Sequence, residues 1–313
     1  MSLLDFRDAA FSAIYELAKV DSKVCALTND MGAQGLDKLK NDFPKQVFNV
    51  GIAEQNMMSV ASGLSSEGRT VFVYGIISHI IQRGFEQIKL DICCSNRSVV
   101  LLGIGSGFSY GGDGPTHHGN QDLALMGSLP GMTIYDPADA FTTEYAVKNA
   151  YQNKAPGYIR LDKQQHEALY TKDSNSFEQG CCYALPKGDI NILASGILVH
   201  RAIEVANALN SKGLSVGVLD VFRLKPINTE VVDDVITTSK AIMVIEEHVP
   251  LGGLASLIEG RLARSLQNPL YIPIHPADVF YTGSANRAWV HGESGLLSEQ
   301  LIESIEASCA KLA

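Results

Sequence analysis

Residues 51–56 of the chain, Gly51-Ile52-Ala53-Glu54-Gln55-Asn56, follow a short apolar segment at 47–50. The apolar segment predicts a strand, and the residues after the hexapeptide predict a helix, since three of them share one face: Met57, Ala61 and Leu64. Glu54 then lies in the first turn of a helix just beyond a strand, where α/β proteins place their ligand clefts. A carboxylate there also stabilises a helix start without further function, and the pattern alone favours that structural role.

The rest of the chain repeats this alternation of strand-length apolar runs and helical patterns. Strands are predicted at 24–28, 70–75, 98–103, 132–135, 157–161, 190–194, 215–221, 241–246 and 271–274. A helix is predicted at 83–94. Such alternation indicates an α/β fold with mostly parallel sheets flanked by helices. The chain is long enough for two domains, and we predict a first domain at 1–165, a polar linker at 166–187 and a second domain at 188–313.

Composition excludes several classes of partner. The formal charge of −9 argues against nucleic acid and anionic membrane surfaces, which are bound through basic patches. The sequence contains no apolar run of about 18 residues, so no transmembrane helix is expected, and charged residues near the amino terminus argue against a signal peptide. The six cysteines include two adjacent pairs and no CxxC spacing, which favours free thiols in a reducing, cytoplasmic compartment.

A second informative segment is Gly111-Gly112-Asp113-Gly114-Pro115-Thr116-His117-His118-Gly119. Its glycines and proline predict an irregular loop that carries Asp113, His117 and His118. Aspartate and histidine together offer hydrogen bonds to hydroxyl groups and proton transfer near neutral pH. The alternatives are a turn with exposed histidines, or a metal site. No further ligands stand at metal-binding spacing, so we predict no metal site in this chain.

Taken in order, these two motifs resemble those of the transketolase family of thiamine diphosphate enzymes. The segment at 81–87 is similar to one in 1-deoxyxylulose-5-phosphate synthase, of the same superfamily. Segments at 219–227 and 244–248, with Gly252-Gly253, resemble the family's C-terminal domain. The resemblance covers essentially the whole chain and implies a pyrimidine-binding domain followed by that C-terminal domain.

The resemblance implies roles for individual residues. Glu54 matches the glutamate that shares a proton with the cofactor's pyrimidine and so activates the thiazolium carbon. Burial raises and a helix start lowers the pKa of such a carboxyl. His117 matches a histidine that handles protons of the bound sugar, and Asp113 an aspartate that contacts a substrate hydroxyl. Arg83 matches a position beside the pyrimidine.

Two departures from the family pattern concern the cofactor and the sugar. Ile77 and Ile80 stand where transketolases place aromatic residues against the pyrimidine, with Tyr74 or His79 as alternatives. Gly105 replaces a donor-binding histidine, which opens the choice of substrate to a sugar phosphate, a modified sugar or a pyruvate-like donor.

Four further residues match, less specifically, the family's phosphate contacts: Arg7, Thr28, Lys163 and the neighbouring Arg160. Their alternative role is that of ordinary surface residues.

The chain lacks the family's diphosphate and metal motif. The Gly112-Asp113-Gly114 tripeptide lies inside the histidine loop, and no asparagine pair follows at the family's distance. The resemblance therefore implies that thiamine diphosphate is shared with a separate N-terminal transketolase-like subunit, which holds the diphosphate and Mg²⁺ (or Ca²⁺). We expect a heterotetramer in which the pyrimidine domains associate with each other.

The expected activity is transfer of a two-carbon ketol unit from a ketose donor to an aldose acceptor. One alternative is a decarboxylating synthase that joins pyruvate to an aldehyde. Another is a non-catalytic scaffold or regulatory subunit of such a complex, which the departures at Ile77, Ile80 and Gly105 would support.

Overall fold

The computed structural model describes residues 4–171, 177–282 and 286–309. Within them, the larger sheet has seven strands. In spatial order they are β12 (Arg223–Lys225), β6 (Thr133–Tyr135), β7 (Gly157–Leu161), β5 (Val99–Ile104), β4 (Thr70–Ile76), β2 (Val24–Thr28) and β3 (Val47–Asn49). All are parallel except β12, which is antiparallel to β6. The central strands are buried on both faces, as expected for parallel strands between helical layers.

A second sheet of five strands follows in the described carboxyl-terminal part. Its order is β14 (Leu270–Ile274), β13 (Ala241–Ile245), β10 (Ile190–Ala194), β11 (Val216–Asp220) and β9 (Cys182–Leu185), with β9 antiparallel at one edge. A short antiparallel pair joins β1 (Leu4–Asp5) to β8 (Gln165–His166). The predicted fold class, α/β with mostly parallel sheets, is confirmed.

Helices flank both sheets. The first part contains α1 (Phe6–Val20), α2 (Gln34–Asp42), α3 (Glu54–Ser66), α4 (Phe85–Gln87), α5 (Asp122–Gly127) and α6 (Ala140–Asn153). The second contains α7 (Leu198–Ser211), α8 (Thr229–Thr238), α9 (Leu254–Leu262), α10 (Arg287–Glu293) and α11 (Ser298–Cys309). Side-chain caps fix several starts: Asp5 accepts from the backbone at the start of α1, Asp139 forms a capping box on α6, and Asn228 caps α8.

The helix predicted at 83–94 differs from what is observed. The structure has π-helical segments at Ser78–Arg83 and Ile88–Cys93, with the single turn α4 between them. Gly84 separates the first segment from α4, and a Cβ at this position would lie 2.8 Å from the carbonyl oxygen of Ile80 and 3.0 Å from Cγ of Met58. Because π-helical turns often occur at functional sites, this segment bears on the site described below.

The domain boundaries at 165/166 and 187/188 stay a prediction, and two strands bear on them. Strand β9 lies inside the predicted linker, where it covers the edge of the second sheet, and it is only partly buried. Strand β12 comes from the second part of the sequence and extends the first sheet. The second part of the chain is therefore joined to the first sheet at this edge.

Candidate active site

The carboxyl edge of the first sheet is the edge at which its parallel strands end, and it carries most of the predicted site residues. Asn29 directly follows β2, the Ser78–Arg83 segment follows β4, and Asp162 directly follows β7. The loop that contains residues 105–119 follows β5. Parallel strands end side by side, so this topology brings these segments together.

Glu54 is the first residue of α3 and is 5% exposed. Its Oε1 accepts hydrogen bonds from Nδ2 of Asn29 at 3.1 Å and from Nη1 of Arg83 at 3.0 Å. Its Oε2 accepts no side-chain hydrogen bond within the described residues. Two donors therefore hold one carboxylate oxygen and leave the other for a ligand.

The pKa of Glu54 is lowered in this chain. Burial, the largest single influence, opposes ionisation of the carboxyl. Hydrogen bonds from its own backbone N–H and from Asn29, together with the charge of Arg83, outweigh burial. These influences favour the ionised carboxylate, which can accept a hydrogen bond.

Two histidines stand next to this carboxylate. The rings of His79 and His117 lie 5.0 Å apart in an edge-on arrangement, and Nδ1 of His117 is 2.9 Å from the hydroxyl of Thr116. The pKa of His79 is lowered, by burial first and then by the charges of Arg83 and His117, while Glu54 opposes that change. His79 is therefore a neutral imidazole at pH 7.

The loop at 105–119 is tied to the π-helical segment and to the second domain. Oγ of Ser78 donates to the carbonyl of Thr116 at 2.7 Å. Asp162 accepts from the hydroxyls of Ser106 at 3.0 Å and Ser109 at 2.6 Å, and from Arg287 of α10 at 2.7 Å. Asp113 is exposed on this loop, with its carboxylate directed at no side-chain donor within the described chain.

Two cationic side chains lie near Tyr110. The ammonium of Lys163 lies 4.2 Å from the centre of the Tyr110 ring, and that ring is 5.7 Å from the ring of His117. The pKa of Tyr110 is raised, by burial first, and the charge of Arg7 opposes the rise. Arg7 itself is partly exposed and pairs with Asp5 at 3.2 Å. Arg7 and Lys163 are thus both near this phenol.

The predicted contact of Ile77 and Ile80 with a cofactor is not compatible with their positions, because both side chains are at most 1% exposed. Ile77 packs against Gly103 and Gly119, and Ile80 packs against Gly75. Within residues 76–83, Ile76 and His79 are partly exposed, and Gln82 and Arg83 are exposed. The register of the segment therefore turns both isoleucines into the core and presents His79 instead.

Arg160 and Thr28, two of the residues predicted to contact phosphate, are buried inside the protein. Arg160 is 4% exposed and donates to Asp122 at 2.9 Å, Asp136 at 3.2 Å, and the carbonyls of Gly119 and Glu247. Its guanidinium is fully used inside the protein, so it is not a substrate ligand. Thr28 is 4% exposed, and its hydroxyl is bonded to the backbone of Met31.

Sequence reasoning missed Asn29 and Tyr110. Asn29 had one available signal, its position immediately after a buried strand next to that of Glu54. Tyr110 precedes the glycine-rich motif directly, and only the fold shows that its ring faces His117. Neither residue has a spacing pattern of its own.

Other features of the chain are less specific. No group of three or more His, Cys, Asp or Glu side chains within residues 4–171, 177–282 and 286–309 is arranged to hold a metal ion. No helix in these ranges is long and apolar enough to cross a bilayer. None of the five described cysteines, which exclude Cys309, is in a disulfide bond.

Comparison with known proteins accounts for both halves of the chain. The family model of the transketolase pyrimidine-binding domain matches residues 2–167, and that of the transketolase C-terminal domain matches residues 184–300. One of the subunits of an apulose-4-phosphate transketolase from Phocaeicola vulgatus is 31% identical over 295 residues, which cover 94% of this chain and 91% of that protein.

A longer relative is matched over only part of its length. The 1-deoxy-D-xylulose-5-phosphate synthase of Clostridium tetani is 32% identical over 248 residues, or 79% of this chain and 40% of that enzyme. Among solved structures, a split gene transketolase described as an inactive β4 tetramer is 29% identical with a TM-score of 0.87, and 98% of each chain is covered. With both halves matched in order and a subunit-sized relative matched almost end to end, this chain belongs to the transketolase family.

Proposed function

We propose that this chain is one subunit of a thiamine diphosphate-dependent transketolase, which transfers a two-carbon ketol unit from a ketose to an aldose. The observation that carries the proposal is the environment of Glu54. Its carboxylate is ionised, is held through one oxygen by Asn29 and Arg83, and lies beside the histidine pair. This arrangement suits recognition of an aminopyrimidine nitrogen.

The residues present fit the cofactor's pyrimidine. Glu54 would share a proton with a ring nitrogen through Oε2, while Arg83 and His79 would border the ring. When bound, thiamine diphosphate supplies the nucleophilic carbon that receives the ketol unit. Enclosure by a ligand removes water from Glu54 and raises its pKa, so the carboxyl would then take up a proton more readily than in the free chain.

Other side chains of the edge would handle the sugar. The neutral imidazole of His79 next to His117 can accept a proton from a substrate hydroxyl and return it. Asp113 would accept a hydrogen bond from another hydroxyl. Arg7 and Lys163 would attract an anionic substituent such as phosphate.

A partner subunit would hold the diphosphate and Mg²⁺ or Ca²⁺. The chain corresponds in length to a relative named as a subunit, but to only 40% of the longer synthase. The structural relative described as a β4 tetramer supports association between copies of this subunit. We therefore propose a heterotetramer, with paired pyrimidine domains at its centre. Cysteines outside disulfide bonds, as in the described part of the chain, suit a cytoplasmic location.

A decarboxylating synthase is the second candidate, and one observation favours it. Arg83 is at the position that matches arginine in deoxyxylulose-phosphate synthase, and it pairs directly with Glu54. A scaffold subunit is the third candidate, supported by the loss of Ile77 and Ile80 from the ligand-facing surface.

Reconstitution with the diphosphate-binding subunit distinguishes these functions. With thiamine diphosphate and Mg²⁺, we expect the complex to transfer a ketol unit from ketose phosphates to aldehydes, with the products detected by mass spectrometry. Either subunit alone should give at least about 100-fold less transfer. Carbon dioxide release from pyruvate without ketol transfer would instead establish the synthase. Equal turnover by the isolated chain would contradict the proposed partner requirement.

A further inference from the structure

Tyr110 lies near two chemically distinct parts of the site. Its ring faces His117, which in turn faces His79. The ammonium of Lys163 also lies against this ring, and the charge of Arg7 acts on the phenol. Tyr110 is therefore near both the histidines and the cations.

The ring of Tyr110 is held in place by the backbone beneath it. Gly105 has a φ of +98°, and a Cβ at that position would lie 2.4 Å from two carbons of the Tyr110 ring. Such a contact is far inside van der Waals distance, so the ring occupies the space that any side chain at position 105 would need. Glycine at position 105 is thus what allows the Tyr110 ring to take this position.

The phenol hydroxyl is available to a ligand. Tyr110 is partly exposed, and its hydroxyl makes no hydrogen bond within the described residues. A tyrosine hydroxyl both donates and accepts, which suits the hydroxyl group of a sugar.

The same ring positions Lys163. The Lys163 side chain is exposed, and its ammonium lies over the face of the Tyr110 ring at 4.2 Å. A cation over an aromatic face is attracted by the ring's electron density. Loss of the ring would release the ammonium to solvent.

We propose that Tyr110 is a specificity-determining residue that contacts the sugar: its hydroxyl binds a sugar hydroxyl, and its ring holds Lys163 toward an anionic terminal group. The preferred substrate class is accordingly a polyhydroxylated ketose with a terminal anion, either phosphate or sulfonate. This inference rests on the proposed ketol transfer.

The test uses the reconstituted two-subunit complex with D-fructose, D-fructose 6-phosphate and 6-deoxy-6-sulfo-D-fructose as donors. The Tyr110→Phe variant keeps the ring, so kcat/KM should fall about tenfold for all three sugars. Tyr110→Ala also frees Lys163. In addition to the loss of kcat/KM, the preference for the anionic sugars over fructose should therefore fall about tenfold, as in Lys163→Ala. The double variant Tyr110→Ala/Lys163→Ala should retain the preference of Lys163→Ala, because the two residues act together.

Matched controls are Tyr183→Phe in β9 and Lys45→Ala before β3, each expected to stay within twofold of the wild type. A phosphate-only or sulfonate-only preference in the wild type that Tyr110→Ala abolishes supports the inference and identifies the anion. Unchanged donor preference in Tyr110→Ala, or strictly additive losses in the double variant, would overturn it. Absence of ketol transfer by the wild-type complex would overturn the proposed function as well.

Discussion

His248 lies at the junction of the two domains, where it is 0% exposed. Its Nε2 accepts from the backbone N–H of Ala124 at 3.3 Å, and its Nδ1 is 2.9 Å from the carbonyl of Val249, which it can bond only as the donor. Both bonds are made by the neutral imidazole. Burial, assisted by the charge of Arg160, lowers the pKa of His248 to about 4.

This burial predicts a loss of stability in mild acid. The folded pKa is below the unfolded value of about 6.5, so unfolding takes up a proton as the pH falls from about 6.5 toward 4. The free energy of unfolding should fall in that window, by up to about 1.4 kcal/mol per pH unit from this residue. Gln can reproduce both hydrogen bonds without titrating, so His248→Gln should flatten the slope.

Urea unfolding between pH 4 and pH 7 measures this effect. The half-exposed His275, substituted by Gln, serves as the matched control. A slope in His248→Gln that equals that of the wild type would show that His248 does not contribute to the acid sensitivity.

Residue identities in the sequence singled out several residues that the structure brings together. Glu54 and Arg83 are joined by an ion pair, and His117 lies close to both through His79. Ile77 and Ile80 were misplaced because the direction of a side chain depends on helix register, which differs in a π-helical turn. Arg160 was misplaced because no pattern distinguishes a buried arginine from a surface one before its carboxylate partners are known.

The elements that support the loop at 105–119 come from both domains. Arg287, at the start of α10, is 9% exposed; it donates to Asp162 at 2.7 Å and to both carboxylate oxygens of Glu247, which also contacts His291. Asp162 in turn holds Ser106 and Ser109. One arginine thereby connects the second domain to the loop that carries Asp113 and His117.

Substitution of Arg287 should loosen this loop. Arg287→Gln leaves two buried carboxylates without their cation, which typically destabilises a protein by about 3–5 kcal/mol. We expect faster amide hydrogen exchange in residues 105–119 and a lower urea midpoint. The exposed Arg264, changed to Gln, should alter neither quantity. Loop exchange as slow as in the wild type would show that α10 does not restrain the loop.

Elements were predictable where burial is continuous. Strands such as β13 were evident because both of their faces are buried, which produces unbroken apolar runs. Strands β9 and β12 were not predicted, because each is short, partly exposed and placed at a sheet edge by long-range pairing. The π-helical turns were not predicted either, since the apolar spacing at 83–94 indicates only a helix.

In the whole molecule, the site residues lie together at the carboxyl edge of the first sheet. The described residues provide a carboxylate, two histidines and two cations, but no cluster able to bind a metal ion. A diphosphate carries several negative charges and is bound in proteins with a divalent cation. In the proposal, the partner subunit supplies a second protein surface, and the identity of that subunit is not contained in a single sequence.

The most direct measurement of the central claim is hydrogen–deuterium exchange at the thiazolium carbon of thiamine diphosphate bound to the two-subunit complex. The exchange is stopped with acid and its extent is measured by NMR. Proton transfer by a positioned side chain contributes about 10²–10⁴-fold, so Glu54→Gln should slow this exchange at least about 100-fold with the cofactor still bound. Glu67→Gln, at the opposite end of α3, should exchange at the wild-type rate. Equal exchange rates in Glu54→Gln and the wild type would contradict the account.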